Sequence, residues 1–170
     1  MILKENNLAF IDNQNLFAEL KRCGWELDYE RFLVYLREKY SVKRAFIFIG
    51  FIERNLPFYE KLYSFGYDLI FKPTVLTTTG IKGNCDAELV LHTLIHFPEF
   101  DRAVIVSGDG DFHCLVEYLI FKSKLKILLV PNPRKYSALL KRFRDHTHYM
   151  DNLRWKLSLE KKSPHKDETL

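Results

Sequence analysis

Val104-Ile105-Val106-Ser107-Gly108-Asp109-Gly110-Asp111-Phe112 decides how this chain folds on paper. A short, continuous apolar run closed by two acids and two glycines has the form of a strand buried on both faces that delivers polar groups at its carboxyl end. Such acids and glycines make poor core and poor cap material, so a functional reading leads at this segment. Leu8-Ala9-Phe10-Ile11 has the same form and ends in Asp12-Asn13-Gln14-Asn15. Working outward, residues 45–49, 68–71 and 126–130 are further apolar runs, which brings the expected strand count to five. Between the runs, apolar residues at a 3.6-residue period predict helices over 15–23, 29–40, 57–65, 86–97 and 112–122. Gly24 and Gly66 close two of these where a left-handed cap is wanted. The order β-α-α-β-α-β-α-β-α-β implies right-handed crossovers and one open, mainly parallel α/β sheet covered by helices on both faces. After Pro131-Asn132-Pro133, residues 136–143 and 152–160 read as closing helices. One domain is expected over residues 1–160, and residues 161–170, without apolar periodicity, read as a disordered tail.

The 170 residues are 47% hydrophobic and 28% charged, which excludes a disordered chain. No apolar run approaches the roughly 18 residues of a membrane-spanning helix, so no membrane partner is expected. The opening Met-Ile-Leu-Lys-Glu-Asn-Asn leaves no room for a signal peptide, and a cytoplasmic location is the expectation. Cys23, Cys85 and Cys114 form no C-x-x-C pair, which supports neither a disulfide framework nor a structural zinc site. The net charge of +4 hides a split. Residues 1–111 carry 13 basic and 16 acidic side chains, whereas residues 112–170 carry 13 and 6. That basic half admits an anionic partner or a solvated surface equally well.

In an open α/β sheet, ligands bind beyond the carboxyl ends of the strands, where the strand order reverses. Asp12, Asp109 and Asp111 follow apolar strands, and Asp86 opens the helix that precedes the fourth strand. Converging carboxylates repel, by about 4 kcal/mol for two unit charges at ~4 Å and an effective dielectric near 20. They coexist by sharing protons or binding cations. An oxygen-only donor set without Cys or His clusters favours Mg²⁺ or Mn²⁺, which complete their coordination with water and phosphate oxygens and serve phosphodiester hydrolysis. Plainer readings stand beside this one. Asp12 can cap a helix with Asn15 in its first turn, and Asp86 can complement a helix dipole.

Three blocks, Ala9-Phe10-Ile11-Asp12-Asn13-Gln14-Asn15-Leu16, Lys82-Gly83-Asn84-Cys85-Asp86-Ala87-Glu88-Leu89 and Val104 to Phe112, taken in order, resemble the signatures of the NYN domain family. This is the LabA-like (DUF88) branch of the PIN-like nucleases, and the resemblance covers about residues 5–155. It implies strand order 3-2-1-4-5 and a metal-dependent ribonuclease whose acids are Asp12, Asp86, Asp109 and Asp111. On that reading Asp12 and Asp109 are inner ligands, Asp86 serves a second metal, and Asp111 supports it or positions water. Asn15 and Ser107 hold the carboxylates by hydrogen bonds. Many relatives carry a further Asp on the fourth helix where this chain has His92, which reads as a supporting group.

RNA, single-stranded, is the expected partner, with Lys82, Arg134, Lys135, Tyr136 and Arg142 as its contacts and Tyr136 as a stacking face. A solvated helix face is the plainer account of Arg142. A homo-oligomer stays open. A haloacid-dehalogenase-like phosphatase needs a second Asp two residues after its nucleophile, where this chain has Gln14. A Rossmann or P-loop module needs glycine motifs the sequence lacks. An RNA-binding module of the same fold that does not cleave is compatible with every residue named.

Overall fold

The computed structural model of the protein describes residues 5–72, 75–77, 80–82 and 86–160, the two short central stretches by their backbone alone. The expected tail, 161–170, and Gly83, Asn84 and Cys85 lie outside the described residues. In chain order the elements are β1 (Asn7–Asp12), α1 (Asn13–Arg22), α2 (Tyr29–Tyr40), β2 (Val42–Gly50), α3 (Leu56–Phe65), β3 (Asp68–Lys72), β4 (Val75–Thr77) and β5 (Gly80–Lys82). They continue with α4 (Asp86–Ile95), β6 (Ala103–Val106), α5 (His113–Phe121), β7 (Leu125–Val130), α6 (Ala138–Lys141), β8 (Thr147–Tyr149) and α7 (Arg154–Leu157).

All six strands of the main sheet are parallel, in the order β3-β2-β1-β6-β7-β8. The expected sheet is present with one strand more than the sequence predicts. The addition, β8, has three residues and no apolar run, and pairs only with the outer edge of β7, Leu128 against Thr147 and Val130 against Tyr149. Such a strand exists because a neighbour offers it hydrogen bonds, not because its own residues demand it. The same pairing corrects the closing helices. Of 136–143 and 152–160 there remain α6 and α7, four residues each, with single 3₁₀ turns before β8 and α7. The antiparallel hairpin of β4 and β5 stands apart from the main sheet.

Every residue of β1 is buried, because helices cover both sides of the sheet. Leu8 and Phe10 face one way, with Phe46, Phe48, Ile105 and Leu128, beneath Leu89 of α4, Leu115 and Leu119 of α5 and Leu140 of α6. Ala9 and Ile11 face the other way, with Ala45, Ile47, Val104 and Leu129, beneath Leu16 and Leu20 of α1, Phe32 and Leu36 of α2 and Leu62 of α3. Fully burying one such side chain contributes about 1.5–3 kcal/mol, which is why the central strands read as unbroken apolar runs. Helix α3 ends at Gly66, φ 103°, whose N–H reaches the carbonyls of Leu62 and Tyr63.

The chain runs outward from β1 to β2 and β3, then returns to lay β6 on the other side of β1. This reversal sets Ile11 opposite Val106. The next residue of each strand, Asp12 and Ser107, therefore emerges side by side at the carboxyl edge.

Candidate metal centre

Asp12 ends β1 and caps α1, its Oδ1 accepting from the amide of Asn15 at 3.1 Å. Its Oδ2 accepts from Ser107 Oγ at 2.9 Å, and the Ser107 hydroxyl in turn accepts from the amide of Asp109 at 3.0 Å. Asn15 Oδ1 receives the Gly108 N–H at 2.7 Å, so the first turn of α1 and the loop after β6 are stitched together twice. Asp109 caps its own 3₁₀ turn, Gly110–Phe112, by accepting from the Asp111 amide at 3.0 Å. The carboxylates of Asp12 and Asp109 thus each cap a helical turn at the edge where the acids gather.

Asp86, half-buried in the first turn of α4, completes the group: Asp12, Asp86 and Asp109 each offer a carboxylate oxygen, and the three atoms lie within 4.8 Å of one another. Asp12 is only 4% exposed. Burial pushes its carboxyl up from 3.8 to about 6, against the hydrogen bonds from Asn15 and Ser107 and with the charges of Asp86 and Asp109. Three hard oxygen donors converging around one buried carboxylate are the donor chemistry of a divalent cation such as Mg²⁺ or Mn²⁺.

Of the other residues singled out, Asp111 is exposed and stands outside the trio. His92 is half-buried on α4, its ring edge-on to Phe48 at 5.6 Å and stacked 6.2 Å from His96. Its Nδ1 has no hydrogen-bond partner among the described residues. Burial, then the neighbouring His96, lowers its pKa, against the pull of Glu88. Its ring thus packs against the sheet and is not one of the trio. The side chain of Lys82 lies outside the described residues. Arg134 is exposed, with Asp151 at 3.9 Å, and Lys135 is exposed beside it. Tyr136 is half-buried and shares a hydrogen bond of 3.0 Å with the Tyr149 hydroxyl. Burial, then that bond, pushes its phenol up to about 12. Arg142 is drawn elsewhere: its guanidinium pairs with Glu117 and lies 4.8 Å from the ring centre of Phe143.

Two features of the site have no signature in the sequence. The loop after β7 packs directly on the loop after β6, with the Ser137 amide donating to the Gly108 carbonyl at 3.1 Å. A Cβ at Gly108 would stand 3.1 Å from Tyr136 Cβ, and one at Gly110 would stand 2.2 Å from Ser137 Oγ. The glycines of Ser107-Gly108-Asp109-Gly110-Asp111 therefore make room for a second loop. Lys72, at the end of β3 and 14% exposed, approaches Glu88 of α4 at 3.8 Å and ties α4 to the sheet edge.

The profile of a known family, described as the NYN domain, matches residues 8–151. The chain is 29% identical over 131 residues to the low amplitude and bright protein LabA of Synechococcus elongatus, covering 70% of each sequence. Its fold is similar to the crystal structure of a protein of unknown function from Vibrio parahaemolyticus, with a TM-score of 0.75, 26% identity, and coverage of 89% of this chain and 96% of that one. Among the described residues no helix is long and apolar enough to cross a membrane.

Proposed function

This chain belongs to the NYN domain family, and we propose that it is a metal-dependent endoribonuclease that hydrolyses RNA phosphodiester bonds at Asp12, Asp86 and Asp109. The observation that carries the reading is the approach of those three carboxylates to within 4.8 Å. At such a spacing each charged pair costs on the order of 3–4 kcal/mol at an effective dielectric near 20, an arrangement that a doubly charged cation relieves. When bound, Mg²⁺ or Mn²⁺ supplies Lewis-acid activation of the phosphate and of the attacking water.

The protein's own contribution is rigidity and charge. Ser107 and the Asn15 amide hold both oxygens of Asp12, and the Asp111 amide holds one oxygen of Asp109, so the donors are oriented before substrate arrives. Asp111, exposed two residues beyond Asp109, has the role of orienting water or backbone in this reading and is not a ligand. Arg134 and Lys135, on the exposed loop after β7, supply cations for the strand leaving the site. Arg142, committed to Glu117, is left out of that surface.

The test incubates labelled single-stranded RNA with the protein, with and without Mn²⁺, beside Asp12→Asn and Asp109→Asn. Cation-dependent cleavage that falls by at least about a hundredfold in both variants is expected, from the loss of charge stabilisation at the reacting phosphate. Cleavage that survives both substitutions overturns the site. RNA binding without cleavage in the unsubstituted protein identifies a binding module instead.

A further inference from the structure

Every exposed residue of α4 is apolar: Ala87, Leu91, Leu94 and Ile95. Helix α2 of the same molecule shows the ordinary pattern, since five of its six exposed residues, Glu30, Arg31, Arg37, Glu38 and Lys39, are charged. A helix that is apolar all round belongs to an interior, so α4 has the composition of a helix covered on its outer face as well as its inner one. Helix α5 lies beside it, with the Tyr118 ring centre 5.8 Å from that of Phe97, just past the end of α4. It adds Tyr118 and Phe121 to the same surface, and Phe121, at 77%, is the most exposed large apolar side chain among the described residues.

Area and charge say what covers this face. Leu91, Leu94, Ile95 and Tyr118 are between 40% and 56% exposed. With Phe121 they present on the order of 400–500 Å² of apolar surface, at the areas such side chains carry. A stable interface takes about 800 Å² from each partner, of which about 65% is apolar in homodimers. The patch therefore matches the apolar share of one side of a dimer. Its centre holds no charged side chain, which makes it a poor surface for a phosphate backbone. The rim on α5 carries both signs: Glu117 stands just before Tyr118, and Lys122 just after Phe121, its ammonium 5.7 and 5.3 Å from those two ring centres. A surface that meets a copy of itself has to be its own complement, and two α5 helices packed antiparallel set Glu117 of each toward Lys122 of the other.

We propose that the outer faces of α4 and α5 form the interface of a homodimer with a two-fold axis, a second copy of this chain being the occupant. Leu94 and Phe121 sit at its centre, where apolar anchors shielded from water carry most of the binding energy. Pairs of Glu117 with the partner's Lys122 close the rim. The contact leaves the acids open. Asp86 lies in the first turn of α4 and Asp109 before α5, whereas Leu94, Ile95 and Phe121 lie at the far ends of those two helices. Each protomer keeps a whole acidic centre, and the inference stands apart from the ribonuclease reading.

The test measures the mass of the full chain by sedimentation velocity from about 1 to 100 μM, where mass action separates a dimer from a monomer. A species of twice the 20.3 kDa chain mass is expected, growing with concentration. Phe121→Asp and Leu94→Asp are each expected to raise its dissociation constant at least about tenfold. Both positions are exposed, and circular dichroism identifies the variant to rely on if the other does not fold. Phe17→Asp, at an aromatic 54% exposed on α1 across the sheet, is expected to leave the mass unchanged. Glu117→Lys is expected to weaken the dimer, and Lys122→Glu added to it to restore the association. A single species of 20.3 kDa throughout the range overturns the proposal. So does a dimer that Phe121→Asp and Leu94→Asp leave intact, or one that Phe17→Asp dissolves. A second charge reversal that fails to restore the first overturns the antiparallel pairing of α5.

Discussion

Ser107 Oγ donates to Asp12 Oδ2 at 2.9 Å, joining the last polar residue of β1 to the first residue beyond β6. The bond follows from register, since Ile11 lies opposite Val106. It fixes the one deeply buried carboxylate of the centre in a single orientation. The consequences fall on stability and on cation binding together.

Asp12→Asn is expected to stabilise the cation-free protein at neutral and alkaline pH. Burial raises the Asp12 carboxyl from 3.8 to about 6, so the folded protein keeps a proton that the unfolded chain releases. Stability therefore falls as pH rises through that window, and the full cost, on the order of 2–3 kcal/mol, is present above pH about 6. Asparagine does not titrate. Urea denaturation at pH 8 and pH 4 should show the variant more stable than the parent at the first and not at the second. Mn²⁺ should raise the melting temperature of the parent and leave that of the variant unmoved.

Asn15→Ala removes the acceptor of the Gly108 N–H, which is held at 2.7 Å. Asp12 still caps α1, because the Asn15 amide it accepts from belongs to the main chain. A loss of about 1–2 kcal/mol is expected by denaturant titration, the cost of leaving a buried amide unpaired. Cleavage should fall by about tenfold, since the loop bearing Asp109 loses its tether to α1. An unchanged rate would show that the tether is structural only.

Gly110→Ala sets a Cβ 2.8 Å from Ser137 Cβ as well as 2.2 Å from its hydroxyl. Rotating the serine relieves the second clash and not the first. The expected destabilisation is about 1–3 kcal/mol, as for overpacking elsewhere in proteins. The double variant Gly110→Ala, Ser137→Gly should recover part of it in thermal melts, although Ser137 also caps α6.

Glu5 joins Lys126, Asn7 and Arg102 near the amino end of the sheet. The bond from Lys126, followed by that from Asn7, lowers its carboxyl from 4.5 to about 2. A lowered carboxyl stabilises the fold above its unfolded value and loses that contribution as pH falls toward 2. Glu5→Gln should cost about 1 kcal/mol at pH 7, kept small by solvent screening, with the difference shrinking below pH 4.5 and absent near pH 2. Melting temperatures of both proteins across that range provide the check.

The sequence by itself determined the alternation of elements and the edge where polar residues gather. The apolar run Val104-Ile105-Val106 lies in β6, and the helix expected at 29–40 is α2, because apolar period and local caps act within a few residues of chain. Order, parallelism and the switch point between β1 and β6 were also legible there, through a resemblance in three short blocks. Tertiary structure alone decided what depends on residues far apart in the chain. Strand β8 forms because β7 presents a free edge, Arg142 turns to Glu117, and Gly110 is small because Ser137, 27 positions on, occupies its flank. The membership of the acidic trio is of the same kind. Asp111 is two residues from Asp109 yet exposed, whereas Asp86, from a different element, stands beside Asp12. Period and composition carry the direction of a side chain along one element. Only the packing of several elements sets the distance between two carboxylates, and on that distance the chemistry depends.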